Sequence, residues 1–359
     1  MQNKREVTLF WVLMAGLVFG LILSIIFAVS VGAVALSPRD VYGTILYRLT
    51  GWDIGGIENI GEGPLFDIVW IIRLPRVIMS VIVGMGLALA GVIMQATVQN
   101  PLADPYVLGL SSGASLGATF SIMIGASSVF TGFLANTGIA FWGFLGALGV
   151  SVLVFLLSSI GGRMTTSKLI LSGVVVSSIC SAFSNIIIYL NQDKSDIQSV
   201  TFWTFGSFST ATWEKLRLPT IALVVCFAFF LTQVRRINIM LLGDEAATTL
   251  GIDLNRLRRV YMVLTALLTA VIVCTCGIVG FVGLMIPHFM RAFTGSDYRR
   301  LLPATTLFGG LFLIWADIAA RTLGASGKEI PIGIITSAIG APVFMIIMLR
   351  RAYGFGGRD

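Results

Sequence analysis

Residues capable of chemistry are few in this 359-residue chain, and their spacing argues against catalysis. Four cysteines, Cys180, Cys226, Cys274 and Cys276, all lie in apolar runs. Cys274 and Cys276 stand two apart, so on a helix they point to nearly opposite sides and make a poor pair for one metal. Buried free cysteine packs as a small hydrophobe, and the pattern indicates no disulfide framework. The single histidine, His288, follows Pro287; as a haem ligand it would stand alone, and a structural role is expected. Gly327-Lys328 is followed by Glu329, and Thr322 stands where a phosphate-cradling loop needs its first glycine. Any ATP chemistry therefore belongs to another chain. Neither a catalytic group nor a metal site is expected. The conspicuous polar segment is 235–259, which contains Gly243-Asp-Glu-Ala-Ala-Thr-Thr-Leu-Gly251. This is a short helix-forming run bracketed by glycines, a soluble knob of the kind that serves a docked partner.

The elements that carry these residues are membrane helices. The chain is 56% hydrophobic and 11% charged, with mean hydropathy +0.94, whereas soluble domains carry about 25% charged residues. Apolar runs of ~20 residues recur, each long enough to cross a bilayer as a helix. The expected fold is all-α and polytopic, with ten transmembrane helices over 7–36, 75–98, 107–126, 138–160, 168–190, 216–234, 259–276, 278–293, 303–320 and 333–350. The eighth is short and contains Pro287, which predicts a broken or tilted span. The apolar stretch 7–36 is about twice the length of a signal core, so it is read as a retained span even though Ala33-Val-Ala35 resembles a cleavage site.

Fifteen of the 24 Lys and Arg residues group with the termini and nine fall on the opposite side. That bias puts both termini and segment 235–259 in the cytoplasm. It also accounts for the net charge of +7 without nucleic acid, for which the chain has no basic arm. Segments 37–74 and 191–215 become outer loops, the latter with a short helix around Phe202-Trp-Thr-Phe205. One membrane domain fills residues 1–359.

Small and polar residues mark helix faces. Gly109, Gly113 and Gly117 recur every fourth residue, and Gly84, Gly86, Ala88, Ala90 and Gly91 cluster in the second span. Such patterns let helix backbones approach closely in lipid. Gly173, Ser177, Ser181 and Ser184, with Asn185 adjacent, form an uncharged stripe on the fifth span. It suits either a path for a bulky polar solute or hydrogen bonding between helices. Asp317 is the one acid within a span, and Arg321 four residues on can pair with it. This scarcity of acids argues against a proton-driven pump or a two-aspartate membrane protease.

Several motifs together resemble a known family. They are Arg73-Leu-Pro-Arg76, Gly91-Val-Ile-Met-Gln95, Asn100-Pro-Leu-Ala-Asp-Pro105 and Leu108-Gly-Leu-Ser-Ser-Gly113. Further along come Gly277-Ile-Val-Gly-Phe-Val-Gly-Leu-Met-Ile-Pro-His288 with Arg291, Leu301-Leu-Pro303, Ala316-Asp-Ile-Ala-Ala-Arg321, Glu329-Ile-Pro-Ile-Gly333 and Gly340-Ala-Pro342. In this order they resemble the permease subunits of iron-siderophore, haem and cobalamin ABC importers, the type II importers of bacterial cytoplasmic membranes. The resemblance implies a pair of permeases, with a homodimer expected and a pair of different permeases the alternative, above two ATPase subunits that bind ATP and Mg; the permease holds no cofactor. A soluble binding protein delivers substrate from outside.

By the same resemblance, Gly243, Asp244, Glu245, Ala247, Leu250 and Gly251 form the helix that couples to the ATPase. Arg73, Arg76 and Arg321 dock glutamates of the binding protein, a task for which the arginine fork is suited; Arg321 also pairs with Asp317. Asn100, Pro101, Thr165, Thr166 and Ser167 fall at the cytoplasmic gate. Gly173, Ser177, Ser181 and Ser184 line the path. The expected substrate is an iron chelate, the commonest task of the family, with cobalamin the alternative. An ion-gradient-driven transporter is the reading from another class, and it would require more acids inside the membrane.

Overall fold

The computed structural model describes residues 4–32, 34, 36–52, 61–123, 138–160, 165–191, 193–324 and 329–352. All regular structure among them is helical. Helix α1 (Lys4–Ser30) and the short α2 (Pro38–Thr50) lead to α3 (Pro64–Val98). A 3-10 turn at Pro105–Leu108 precedes α4 (Leu110–Met123), α5 (Gly138–Ser159), α6 (Thr166–Leu190) and α7 (Lys194–Phe205). Then follow α8 (Trp213–Met240), α9 (Asp244–Thr249), α10 (Leu254–Cys276), α11 (Val282–Thr294), α12 (Tyr298–Thr322) and α13 (Ile332–Ala352).

Seven of these helices (α1, α3, α5, α6, α8, α10 and α12) are long and apolar enough to cross a bilayer, which makes the protein multi-pass. The third and eighth expected spans are shorter: α4 has 14 residues and α11 has 13, with Pro287 inside it. Segment 191–215 contains α7, the short helix expected there.

Several boundaries differ from expectation, and two of the differences have a visible cause. The second span begins at Pro64 rather than 75, because a π-helical stretch, Asp67–Arg73, precedes Pro75. There the Leu74 N–H bonds the Val69 carbonyl five residues back, and the widened turn carries the helix through a residue that lacks its own donor. The first span ends at Ser30, not 36, because arginines from other helices take up the carbonyls that follow.

Helix α3 is the axis of the bundle. It packs against α12, α10, α11 and α8, and most of its side chains are buried. Small residues permit this. Gly84 faces the backbone of Gly309, and Gly91 that of Gly283, so closely that a Cβ at either position would run into a carbonyl. A second core forms where Gly113 and Gly117 of α4 meet Gly146 and Trp142 of α5. The periodic glycines therefore act as helix contacts. Helix α1 runs parallel to α12: Gly20 sits beside Leu311, Ser24 accepts from the Trp315 indole at 3.1 Å, and Phe27 stacks on Trp315.

Candidate functional site

At one end of the bundle the chain leaves α8, forms α9 and re-enters through α10. Gly243 (φ 98°) and Gly251 (φ 78°) occupy left-handed backbone on either side of α9, where residues with a Cβ are strained. Ala247, expected at the partner-facing surface, is fully buried and joins Met240, Leu254, Tyr298 and Leu301 in the main core. Its backbone is held as well: its N–H donates to Gly243 and its carbonyl accepts from Ile252. Leu250 is 60% exposed. The knob is thus anchored by a small inward residue and presents an apolar outward one.

A polar network lies directly above it. Arg291 Nη1 donates to Gln95 Oε1 at 2.6 Å, and Arg291 Nη2 to the Tyr298 hydroxyl at 3.3 Å. Tyr298 in turn donates to the Val92 carbonyl, while Gln95 Nε2 donates to Leu284 O at 3.2 Å. Asn238 bridges onward, its amide donating to Asp297 Oδ1 at 2.6 Å and its oxygen accepting from the Tyr298 N–H. Gln99, in left-handed backbone at the end of α3, donates to Met240 O at 2.6 Å, just before the knob. Four helices, α3, α8, α11 and α12, are joined here by charge-assisted bonds in a poorly solvated setting. Sequence reasoning missed this network. Its one local signal was Gln95, a polar residue inside an otherwise apolar stretch of α3.

At the opposite end Asp317 joins Arg76 and Arg321, which the resemblance had assigned to two separate docking positions, and with Arg73 they face inward. Arg76 is 7% exposed; it pairs with Asp317 at 3.0 Å and donates from Nη1 to both Glu329 oxygens at 2.7 Å. Arg321 pairs with Asp317 at 3.0 Å, the local ion pair anticipated from their spacing, and donates to the Ala28 and Val31 carbonyls. Arg73 donates to the carbonyls of Val29, Ser30 and Val34. Two arginines therefore bind the outgoing end of α1, where carbonyls lack helical partners, while the third is neutralised by two acids. Glu329 was not anticipated in this cluster.

The expected gate residues lie on two loops joined through one buried cluster that includes Val98, Ala103 and Leu169. Asn100 Oδ1 accepts from the Leu102 N–H in a tight turn beside Pro101. Thr165 caps α6 by accepting from the Lys168 N–H, and Thr166 and Ser167 form the first turn of that helix. Asp104 accepts from the Tyr106 N–H, and burial pushes its carboxyl up to about 6 against the opposing pull of that amide.

The serine stripe is split between environments. Gly173 packs on the Val107 carbonyl, Ser177 reaches toward Gly109 and Ser184 is buried, whereas Ser181 is exposed. The uncovered face of α6 is instead apolar, with Leu171, Val174, Ile179 and Phe183 exposed. Among the described residues, no group of three or more His, Cys, Asp or Glu is placed to hold a metal ion.

A knob tied into the core, glycine-packed helices and an all-helical membrane body agree with what the chain resembles in sequence and in three dimensions. The hemin transport system permease of Yersinia pestis is 35% identical over 93% of this chain and 95% of its own length. The vitamin B12 import system permease of Klebsiella pneumoniae is 38% identical over 80% of this chain and 84% of its own. The molybdate import system permease of Haemophilus influenzae is 32% identical over 94% and 96%. A solved metal-chelate type ABC transporter in an inward-facing conformation superposes with a TM-score of 0.79, at 31% identity, covering 94% of this chain and 98% of that one. The model of the FecCD transport family matches residues 20–350. On a match of that extent, this protein belongs to the FecCD transport family and is an ABC importer permease.

Proposed function

We propose that this permease carries an iron chelate, a siderophore complex or haem, inward across a bacterial cytoplasmic membrane. Two copies pair. Ten spans per copy cross the bilayer, with both termini in the cytoplasm. Two separate ATPase subunits bind ATP and Mg, and a binding protein delivers the substrate from outside. The permease itself makes and breaks no covalent bond.

The observation that carries this reading is the anchored knob. With Ala247 buried in the core that also holds Met240 and Leu254, α9 is tied to α8 and α10. Asp244, Glu245 and Leu250 form the surface for the ATPase cleft, and Gly243 and Gly251 set its angle. Closure of the ATPase pair pushes the knob, and the Gln95–Arg291–Tyr298 network passes the displacement to α3. Asn100, Pro101, Thr165, Thr166 and Ser167 form the inner closure. Gly173, Ser177, Ser181 and Ser184 contribute to the path, and the uncovered apolar face of α6 gives the second copy a surface. Outside, Glu329 already accepts from Arg76 Nη1, so a docking glutamate of the binding protein competes with it, while Arg73 and Arg321 hold the rim.

Uptake by vesicles carrying the complete assembly tests the class. Transport should persist after the proton gradient is collapsed and stop without ATP; the reverse result selects a gradient-driven transporter. Similarity to the vitamin B12 permease supports cobalamin as the second substrate reading. What the cognate binding protein retains from ferric siderophore, hemin, cobalamin and molybdate decides between them.

A further inference from the structure

A groove of about 350 Å³ lies between the first turns of α1 and α12. Its lining is apolar along Phe10, Trp11, Met14 and Pro303, and its charged residues are Arg299, Arg300 and Asp297. The two helices run parallel, so their first turns lie at the same level: Ser24 meets Trp315 and Gly20 meets Leu311. Trp11 is 65% exposed on the outer flank, as tryptophan commonly is at the membrane–water boundary.

The first-turn amides of α12 are already engaged. The Tyr298 N–H goes to Asn238, and those of Arg299 and Arg300 go to Asp297. The Asp297 Oδ1 that faces this region accepts from both the Asn238 amide and the Arg299 N–H. The groove's affinity for an anion therefore rests on the guanidinium groups of Arg299 and Arg300, acting against the one carboxylate of Asp297.

We infer that this groove is a binding site for an anionic phospholipid of the cytoplasmic leaflet. The phosphate sits against Arg299 and Arg300, and the start of an acyl chain runs along Phe10, Met14 and Pro303. Charge complementarity selects the headgroup, because arginine forks match phosphate oxygens, and basic pockets between membrane helices suit such lipids. The apolar lining beside the two arginines suits an acyl chain, which favours lipid over a soluble anion. The leaflet assignment rests on the orientation given under Proposed function; the binding itself does not.

The experiment is native mass spectrometry of the purified full-length permease with equal mole fractions of phosphatidylglycerol and phosphatidylcholine. The unaltered protein should retain phosphatidylglycerol preferentially. The double variant Arg299→Gln/Arg300→Gln should lose that preference by roughly tenfold while keeping phosphatidylcholine. The control Arg235→Gln/Arg236→Gln, at an exposed basic pair on α8, should keep the preference. Should the double variant not elute as the parent does, the exposed single change Arg299→Gln supplies the comparison. Equal retention by the Arg299/Arg300 variant, or no preference in the unaltered protein, overturns the proposal. So does a disulfide between two copies bearing Trp11→Cys, which would show protein covering the groove. Protease access to a C-terminal tag in sealed vesicles reads the orientation separately, so a failure of topology is not mistaken for a failure of binding.

Discussion

Arg291 and Gln95 are 196 positions apart in the chain and meet across 2.6 Å, joining α11 to the central helix just above the knob. Breaking this contact should cost stability and coupling together. Arg291→Gln loses a charge-assisted bond, and about 1.5–3 kcal/mol with it. Gln95→Leu strands a guanidinium and should cost a similar amount. A double-mutant cycle on melting of the purified permease should return a coupling of about 0.5–3 kcal/mol; strictly additive losses would show that the bond carries nothing. In the assembled complex, Arg291→Gln should leave ATP hydrolysis running while uptake falls.

The second prediction concerns the buried charges at the other end. Asp317 is 1% exposed and answers both Arg76 and Arg321. Asp317→Asn leaves two arginines short of a counter-charge, which should cost about 3–5 kcal/mol, read as lost folded yield and a lowered Tm. Glu329→Gln should be milder, because the Glu329 side chain is 38% exposed. If Arg76 is where the binding protein docks, Glu329→Gln should also tighten docking, measured by surface plasmon resonance against the binding protein. Weaker docking would speak for Glu329 as part of the partner surface itself.

The knob separates anchoring from contact. Ala247→Leu forces extra volume into a filled core and should lower Tm by the equivalent of ~1–3 kcal/mol, loosening the ATPase as well. Leu250→Asp, at an exposed position, should leave Tm unchanged and still reduce co-purification of the ATPase. If Leu250→Asp binds the ATPase normally, the contact surface lies elsewhere on the segment.

Asp104 gives a pH prediction. Its folded-state carboxyl titrates at about 6, above the ordinary 3.8. Between those values the folded chain holds more protons than the unfolded one, so this group's contribution falls as pH rises from about 4 through 6. Asp104→Asn keeps an acceptor for the Tyr106 N–H and removes the buried charge. It should therefore raise Tm at pH 7 and flatten the slope between pH 4 and 6, the gain at neutral pH amounting to ~1–3 kcal/mol. A steeper slope would reverse the sign assigned here.

Much of this architecture was legible in the chain because it is local. Gly113 and Gly117 announce a close contact through their spacing, Asp317 and Arg321 fall on one face through theirs, and Gly243 and Gly251 bracket a helix that the intervening residues favour. The inward aim of Arg73 and Arg76 was not legible. Two arginines three apart at a span's end look the same whether they turn to solvent or to the protein, and Glu329 is 253 positions from Arg76. The knob's surface was misjudged at Ala247 for a similar reason: an alanine in a six-residue helix carries no periodic signal of which side is buried. The start of α3 was missed because a π-helical stretch hides the continuity across Pro75.

The pairing of α1 with α12 bears on biosynthesis. Ser24 leaves the ribosome 291 residues before Trp315, its hydrogen-bond partner, an interval of roughly fifteen seconds to a minute at ordinary elongation rates. During that time α1 has only lipid for company, and its outward residues (Leu9, Trp11, Phe19, Ile22) are those a hydrocarbon solvent accepts. Helix α3 is less fortunate. Arg76 and Gln95 are made early, while Asp317, Glu329 and Arg291 come last, so the nascent chain must shelter both polar groups in an insertion machine until translation is nearly done.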